Sequence, residues 1–162
     1  MAKKQNTKFK GFTIIEVVLV LAIAGLIMLM VFIALPALQR SQRDTQRRSD
    51  FSRFASQIAS YQANNRNRLP ETQKEWTSFV DAYLKANGDT FADPDGTDYV
   101  VTLKSSLPTD GILKNVTFPN AHQVLVYANA TCEGEKVIPS TGTRKVAFQY
   151  KLEGGGVYCG NN

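Results

Sequence analysis

The chain has 162 residues, of which 43% are hydrophobic and 20% charged, with a net charge of +5. That length holds one domain and an appendage and excludes a string of domains. The positive balance is no nucleic-acid signature, because it is local. The first 11 residues hold Lys3, Lys4, Lys8 and Lys10 without an acid, whereas from Phe54 onward 10 basic residues face 11 acidic ones.

The first predicted element is a run from Phe12 to Leu35 in which only Thr13 and Glu16 are polar. As a helix its 24 residues span roughly 36 Å, enough to cross a hydrocarbon core of about 30 Å. The lysines ahead of it favour a cytoplasmic N-terminus, although a similar number of arginines follows the span. Helical spacing continues past Pro36, through a stretch with no large apolar side chain, "QRSQRDTQRRSD". It then acquires a stripe at Phe51, Phe54, Ile58 and Tyr61, suited to lying on a sheet. Phe12 to about Asn64 therefore reads as one helix. Pro36, which removes a backbone hydrogen bond, and Gly25 are expected to loosen it locally.

A second helix is predicted from about Thr72 to Asn87, with a stripe of Trp76, Phe79, Val80, Tyr83 and Leu84. Thr72 and Glu75 have capping-box spacing, and Gly88 suits the stop. "DPDG" at Asp93–Gly96 reads as a turn. Strand-like runs follow at "YVVTL", "QVLVYA", "RKVAFQYKL" and "GVYC". The expected fold is therefore α+β, a long N-terminal helix packed on a four-stranded antiparallel sheet. Cys132 and Cys159 lie on one side of the span. If that side is outside the cytoplasm they are expected to form one disulfide, adding about 3 kcal/mol or somewhat more by loop closure. The alternative is two unpaired buried cysteines.

Glu16 is the residue out of place, since a carboxylate at mid-membrane costs about 2.5–3.5 kcal/mol and less near an end. Taken alone it could snorkel to the interface. Its surroundings carry more information: lysines, Gly11, Phe12, Thr13, Glu16, then an unbroken apolar run. This pattern resembles the processing site and N-terminal segment of type IV prepilins and type II secretion pseudopilins. The resemblance implies a leader cut by prepilin peptidase between Gly11 and Phe12, with Phe12 then N-methylated. It also implies that Glu16 meets the new amine of Phe12, in the family that of a neighbouring subunit; pairing within one chain is the alternative. Ala22, Ala24 and Gly25 would let such helices approach closely. Pro36 falls a few residues further from the cut than the helix-breaking proline of well-known Gram-negative pilins. The expected organisation is a leader 1–11, a transmembrane and filament-core helix 12–35, its amphipathic continuation 36–65, a connecting region 66–98, and a β head 99–162 with a C-terminal disulfide loop.

Other candidates have plainer readings. His122 is the lone histidine and lacks a nucleophile signature nearby, so it reads as a surface or hydrogen-bonded residue. Asp89, Asp93, Asp95 and Asp98 form the one acidic cluster. Asp93, Asp95 and Asp98 are weak calcium ligands at most, because the spacing is not that of an EF-hand and turns use aspartates routinely. Arg40, Arg43, Arg47, Arg48 and Arg53 could touch DNA but read as a face pairing with neighbouring subunits or solvent. Asn115 and Asn129 begin N-x-Thr sequons that arise often by chance. No cofactor, metal or enzymatic activity is expected, and no specific nucleic acid.

The implied function is the major subunit of a type IV pilus, serving adhesion, twitching motility or DNA uptake. Its partners would be copies of itself, the prepilin peptidase, an assembly ATPase, a membrane platform protein and, before assembly, membrane lipid. The chain would sit in the cytoplasmic membrane first and in an extracellular filament afterwards. A pseudopilin or minor pilin is the alternative within the class. A monomeric membrane-anchored binding protein is the alternative outside it.

Overall fold

A computed structural model describes residues 11–111, 122–142 and 144–162. Residues 1–10, which hold all but the last residue of the expected leader and its four lysines, and Asn115 lie outside the described residues. The chain divides into two compact units, residues 1–39 and 40–162. Helix α1, Ile14–Asn64, runs from the first into the second and is unbroken at both Gly25 and Pro36. In the first unit it is apolar on all sides, and its side chains from Ile14 to Leu38 are exposed.

The second unit is a helix-on-sheet head. Strands β1 (Val100–Lys104), β2 (Gln123–Ala128), β5 (Val146–Lys151) and β6 (Val157–Asn161) form one sheet in the order β1-β2-β5-β6. The long-helix-on-sheet architecture matches expectation, with one correction: the sheet is mixed. β1 runs parallel to β2, with Val101 opposite Val124, and only the β2–β5 and β5–β6 pairs are antiparallel. A parallel pair needs a crossover of about a dozen residues or more, and the long connection between Lys104 and Gln123 provides it.

A hairpin absent from the sequence reading, β3 (Ala130–Glu133) and β4 (Lys136–Pro139), makes a second small sheet. Its two-residue turn places Gly134 at φ 61, as the first position of a primed hairpin turn requires. The hairpin covers the face of the main sheet opposite α1, packing Ala130 and Val137 against Leu125, Tyr127 and Ala147. β2 and β5 are thus buried on both faces, which explains why their apolar runs are nearly continuous rather than alternating.

On the other face the predicted stripe of α1 is the core. Phe51, Phe54 and Ile58 have no exposed surface, and Tyr61 packs at the margin. Phe51 lies 4.6 Å, centroid to centroid, from Tyr150, and Phe54 stands edge-on to Phe148 at 4.9 Å, geometries favoured by ring quadrupoles. α1 ends where Arg66 and Asn67 turn left-handed, at φ 54 and 62, while the Asn67 N–H donates to the Gln62 carbonyl.

Helix α2, Gln73–Phe79, begins with the predicted capping box: the Glu75 N–H donates to Thr72 Oγ1 and the Thr72 N–H to Glu75 Oε2. The expected single helix changes pitch at Val80–Leu84, a π-type turn, and finishes as a 3₁₀ turn at Ala86–Gly88, with Gly88 at φ 82. The wider turn keeps Val80 and Leu84 in the core beside Trp76 and Phe79.

Candidate functional site

Around Gly11 the backbone lies outside regular secondary structure and is open. Gly11, Phe12 and Thr13 are exposed and precede the helix, and a Cβ at Gly11 would touch nothing within 4 Å. The first helical turn is closed by side chains. Thr13 donates to Glu16 Oε2 from its backbone N–H at 3.1 Å and from its hydroxyl at 3.0 Å, and the Glu16 N–H donates to Thr13 Oγ1 at 3.3 Å. This reciprocal pattern is a capping box. Glu16 is therefore not an orphan, since Thr13 supplies two donors to one carboxylate oxygen. The spacing Thr13-x-x-Glu16 was visible in the sequence, and it matches that of Thr72-x-x-Glu75.

Beyond that turn, α1 is long and apolar enough to cross a membrane by length and composition, and no residue of its most apolar stretch is buried within the chain. Phe12, Ile14, Phe32 and Ile33 are among the most exposed, at 71–88% of their surface. A surface of this kind needs lipid or other helices around it.

The head holds a second polar constellation that sequence reasoning missed. Arg47 is buried, with its Nε and Nη2 donating to the two oxygens of Asp93 at 2.6 and 2.7 Å and its Nη1 to Asp44 at 2.8 Å. Tyr150 Oη donates to Asp93 at 2.8 Å. Asp44 also accepts the N–H groups of Glu153 and Gly154, at 2.9 and 2.7 Å, and Arg43 Nε donates to Glu153 at 2.7 Å. The arginines expected to face solvent or neighbouring subunits thus pair largely within the head. Arg53 joins Asp89, and Arg40 stands 3.9 Å from Glu153. The reason is tertiary: the β5–β6 turn at Glu153–Gly156 and the Asp93 turn both close onto this side of α1. Burial pushes Asp93 and Asp44 upward, but the donors around them prevail and hold both below the ordinary carboxylate range. The Arg43 side chain, with help from Arg47, holds Glu153 down to about 2.

The three calcium candidates do not all converge. Both oxygens of Asp93 are engaged by Arg47, and Asp98 takes Lys85 Nζ at 2.6 Å. Asp93 and Asp95 instead group with His122, whose Nε2 lies 3.2 Å from Asp95 Oδ2. A guanidinium bound across Asp93 opposes a cation at that place. Cys132 and Cys159 form the disulfide, tying β3 to β6.

Compared with known families, residues 6–32 match the family model described as the prokaryotic N-terminal methylation motif. The match takes in Gly11, Phe12, Thr13, Glu16 and most of the apolar run. The chain thus carries the N-terminal methylation motif, and with the long apolar helix behind it is consistent with a type IV pilin or pseudopilin. That class is structural rather than enzymatic. No curated protein and no solved structure matches the chain.

Proposed function

We propose that the chain is the major subunit of a type IV pilus. The observation that carries this reading is the register of Gly11, Phe12, Thr13 and Glu16 ahead of an apolar helix with nothing covering it. In this reading prepilin peptidase cuts at the open Gly11–Phe12 bond on the cytoplasmic side, and Phe12 is N-methylated. Cleavage creates a cation one helical turn from Glu16. Thr13 holds the carboxylate at the helix start until the Phe12 amine of a neighbouring copy reaches it. An unpaired carboxylate among apolar helices is strongly unfavourable, so the pairing sets the register in which helices stack. Residues 12–35 leave lipid for a core of like helices, and the heads form the shell. Gly25 and Pro36 loosen the helix during that transfer. An assembly ATPase and a membrane platform protein supply the work, and adhesion, motility or DNA uptake belongs to the whole fibre. The Cys132–Cys159 bond supports a pilus over a secretion pseudopilin.

The test is electron microscopy of sheared surface fractions together with N-terminal mass analysis. Fibres containing this chain, beginning at methylated Phe12, are expected. Glu16→Ala should insert and be cleaved normally yet yield few fibres. A chain confined to membranes would favour the anchored binding protein, and polymers that retain the leader would defeat the processing step.

A further inference from the structure

The head carries unlike surfaces at its two ends. At the end where α1 stops, a groove of about 790 Å³ is lined by Arg68, Lys104 and Arg144 over a floor that includes Leu69, Pro70 and Leu103. Arg68 stands 3.4 Å from Glu71, but Lys104 and Arg144 have no carboxylate partner among the described residues, and both are exposed.

The β3–β4 hairpin leads away from that groove: Asn129, just ahead of β3, lines the groove, and β3 carries the chain roughly 15 Å from it. There the β3–β4 turn presents Glu133, Gly134, Glu135 and Lys136, all exposed. Its position is fixed by contacts: the Glu135 carbonyl accepts from Gln149 Nε2 at 2.7 Å, and the Val137 N–H donates to the Gly111 carbonyl at 2.8 Å. Asp110, also exposed, is next to Gly111 in the chain. The Glu135 carboxylate reaches Gly156, in the same turn as the Glu153 that Arg43 and Arg47 bind. Among the described residues, three carboxylates against Lys136 and the neighbouring Lys151 thus leave this knob acidic on balance, while the groove at the far end keeps an excess of cations.

Complementary surfaces at the two ends of one body can pair between copies that lie parallel, as copies inserted in one membrane do. They meet head to tail, and a head-to-tail contact that does not close into a ring propagates as an open helix. We infer that the Arg68–Lys104–Arg144 groove of one copy receives the Glu133–Lys136 turn of the next. This inference rests on the filament reading and adds to it a contact between heads, separate from the packing of the apolar helices. The charges set which face meets which and the register of the contact, and the floor around Leu69 and Pro70 excludes water.

The experiment compares the full-length chain with three variants expressed in its fibre-forming host: Lys104→Glu with Arg144→Glu, Glu133→Lys with Glu135→Lys, and the four substitutions together. Fibre yield in the sheared fraction and chain abundance in the membrane are both measured. Each reversal should lower fibre yield about tenfold at unchanged membrane abundance, and the combination should restore it to within about twofold. Undiminished fibres in either reversal, or a combination no better than its parts, overturns the inference. If a reversed chain does not accumulate in the membrane, Lys104→Gln with Arg144→Gln replaces it. About threefold fewer fibres are then expected, and an unchanged yield overturns the inference. Failure of the unaltered chain to form fibres sinks the filament reading itself and is thereby distinct.

Discussion

Arg47 shows how one side chain in a polar helical stretch becomes the anchor of a head. It reaches two turns, one before β1 and one between β5 and β6, and both present carboxylates to it. A buried pair of this kind adds little over a well-packed apolar replacement, but breaking it strands a charge. Arg47→Met should therefore destabilise the head by about 3–5 kcal/mol, because Asp93 has no exposed side-chain surface. Arg47→Met combined with Asp93→Leu should recover most of the loss. Denaturant titration of the detergent-solubilised chain checks both, and a double variant as unstable as the single one would contradict the argument. Gln149 is a comparable case without charge. It is fully buried on a sheet face and gives its amide N–H groups to Gly111 and Glu135 carbonyls, which fastens the hairpin layer to β5.

Among elements, the strands owe their places to what covers them. β1 is an edge strand, yet the Gln73 side chain pairs with it as a short strand would: Nε2 donates to the Val101 carbonyl at 2.7 Å and Oε1 accepts the Leu103 N–H at 2.8 Å. One amide thus occupies groups that could otherwise recruit a stray chain. At the other edge β6 must pass close beneath a core ring. A Cβ at Gly160 would lie 2.5 Å from Phe148 Cζ and 2.8 Å from Cε2. Phe148 is wedged between Phe51 and Phe54, so it has nowhere to move. Gly160→Ala should cost about 1–3 kcal/mol through overpacking. A thermal melt would show it as a lowered midpoint, whereas Gly134→Ala, with open space around it, should act only through its positive φ.

For the whole molecule, acid is the condition that separates the head's polar cluster from its apolar core. Asp44, Asp93 and Glu153 are all held below their ordinary values. A depressed folded-state pKa contributes stability that is complete above the unfolded value and is lost as pH falls through the folded one. Asp50 has the opposite sign, since burial pushes it up despite Arg53 and the Tyr99 hydroxyl. Glu75 is likewise held low by the Glu71 and Thr72 N–H groups, so with four groups against one the melting midpoint of the head should fall as pH drops from about 5 to about 2, where Glu153 finally protonates. Arg47→Met with Asp93→Leu should flatten that profile. A profile equally steep in that variant would place the acid sensitivity elsewhere.

Much of this molecule is legible in its sequence. The methylation motif, the span, the apolar stripe of α1, the Thr72–Glu75 box and the four strands of the main sheet all rest on neighbours within a few positions. Helical and strand periods, capping geometry and hydrocarbon thickness act on such local patterns directly. The direction of β1, the β3–β4 cover, the burial of Arg47 and the two unlike ends of the head were not legible, because each depends on residues about 20 to 110 positions apart meeting in space. The chain's periodicities located the long apolar helix, the second helix and the four strands of the main sheet. Only the folding of the β5–β6 turn and the Asp93 turn onto α1 decided which charges are consumed inside the head and which are left on its ends.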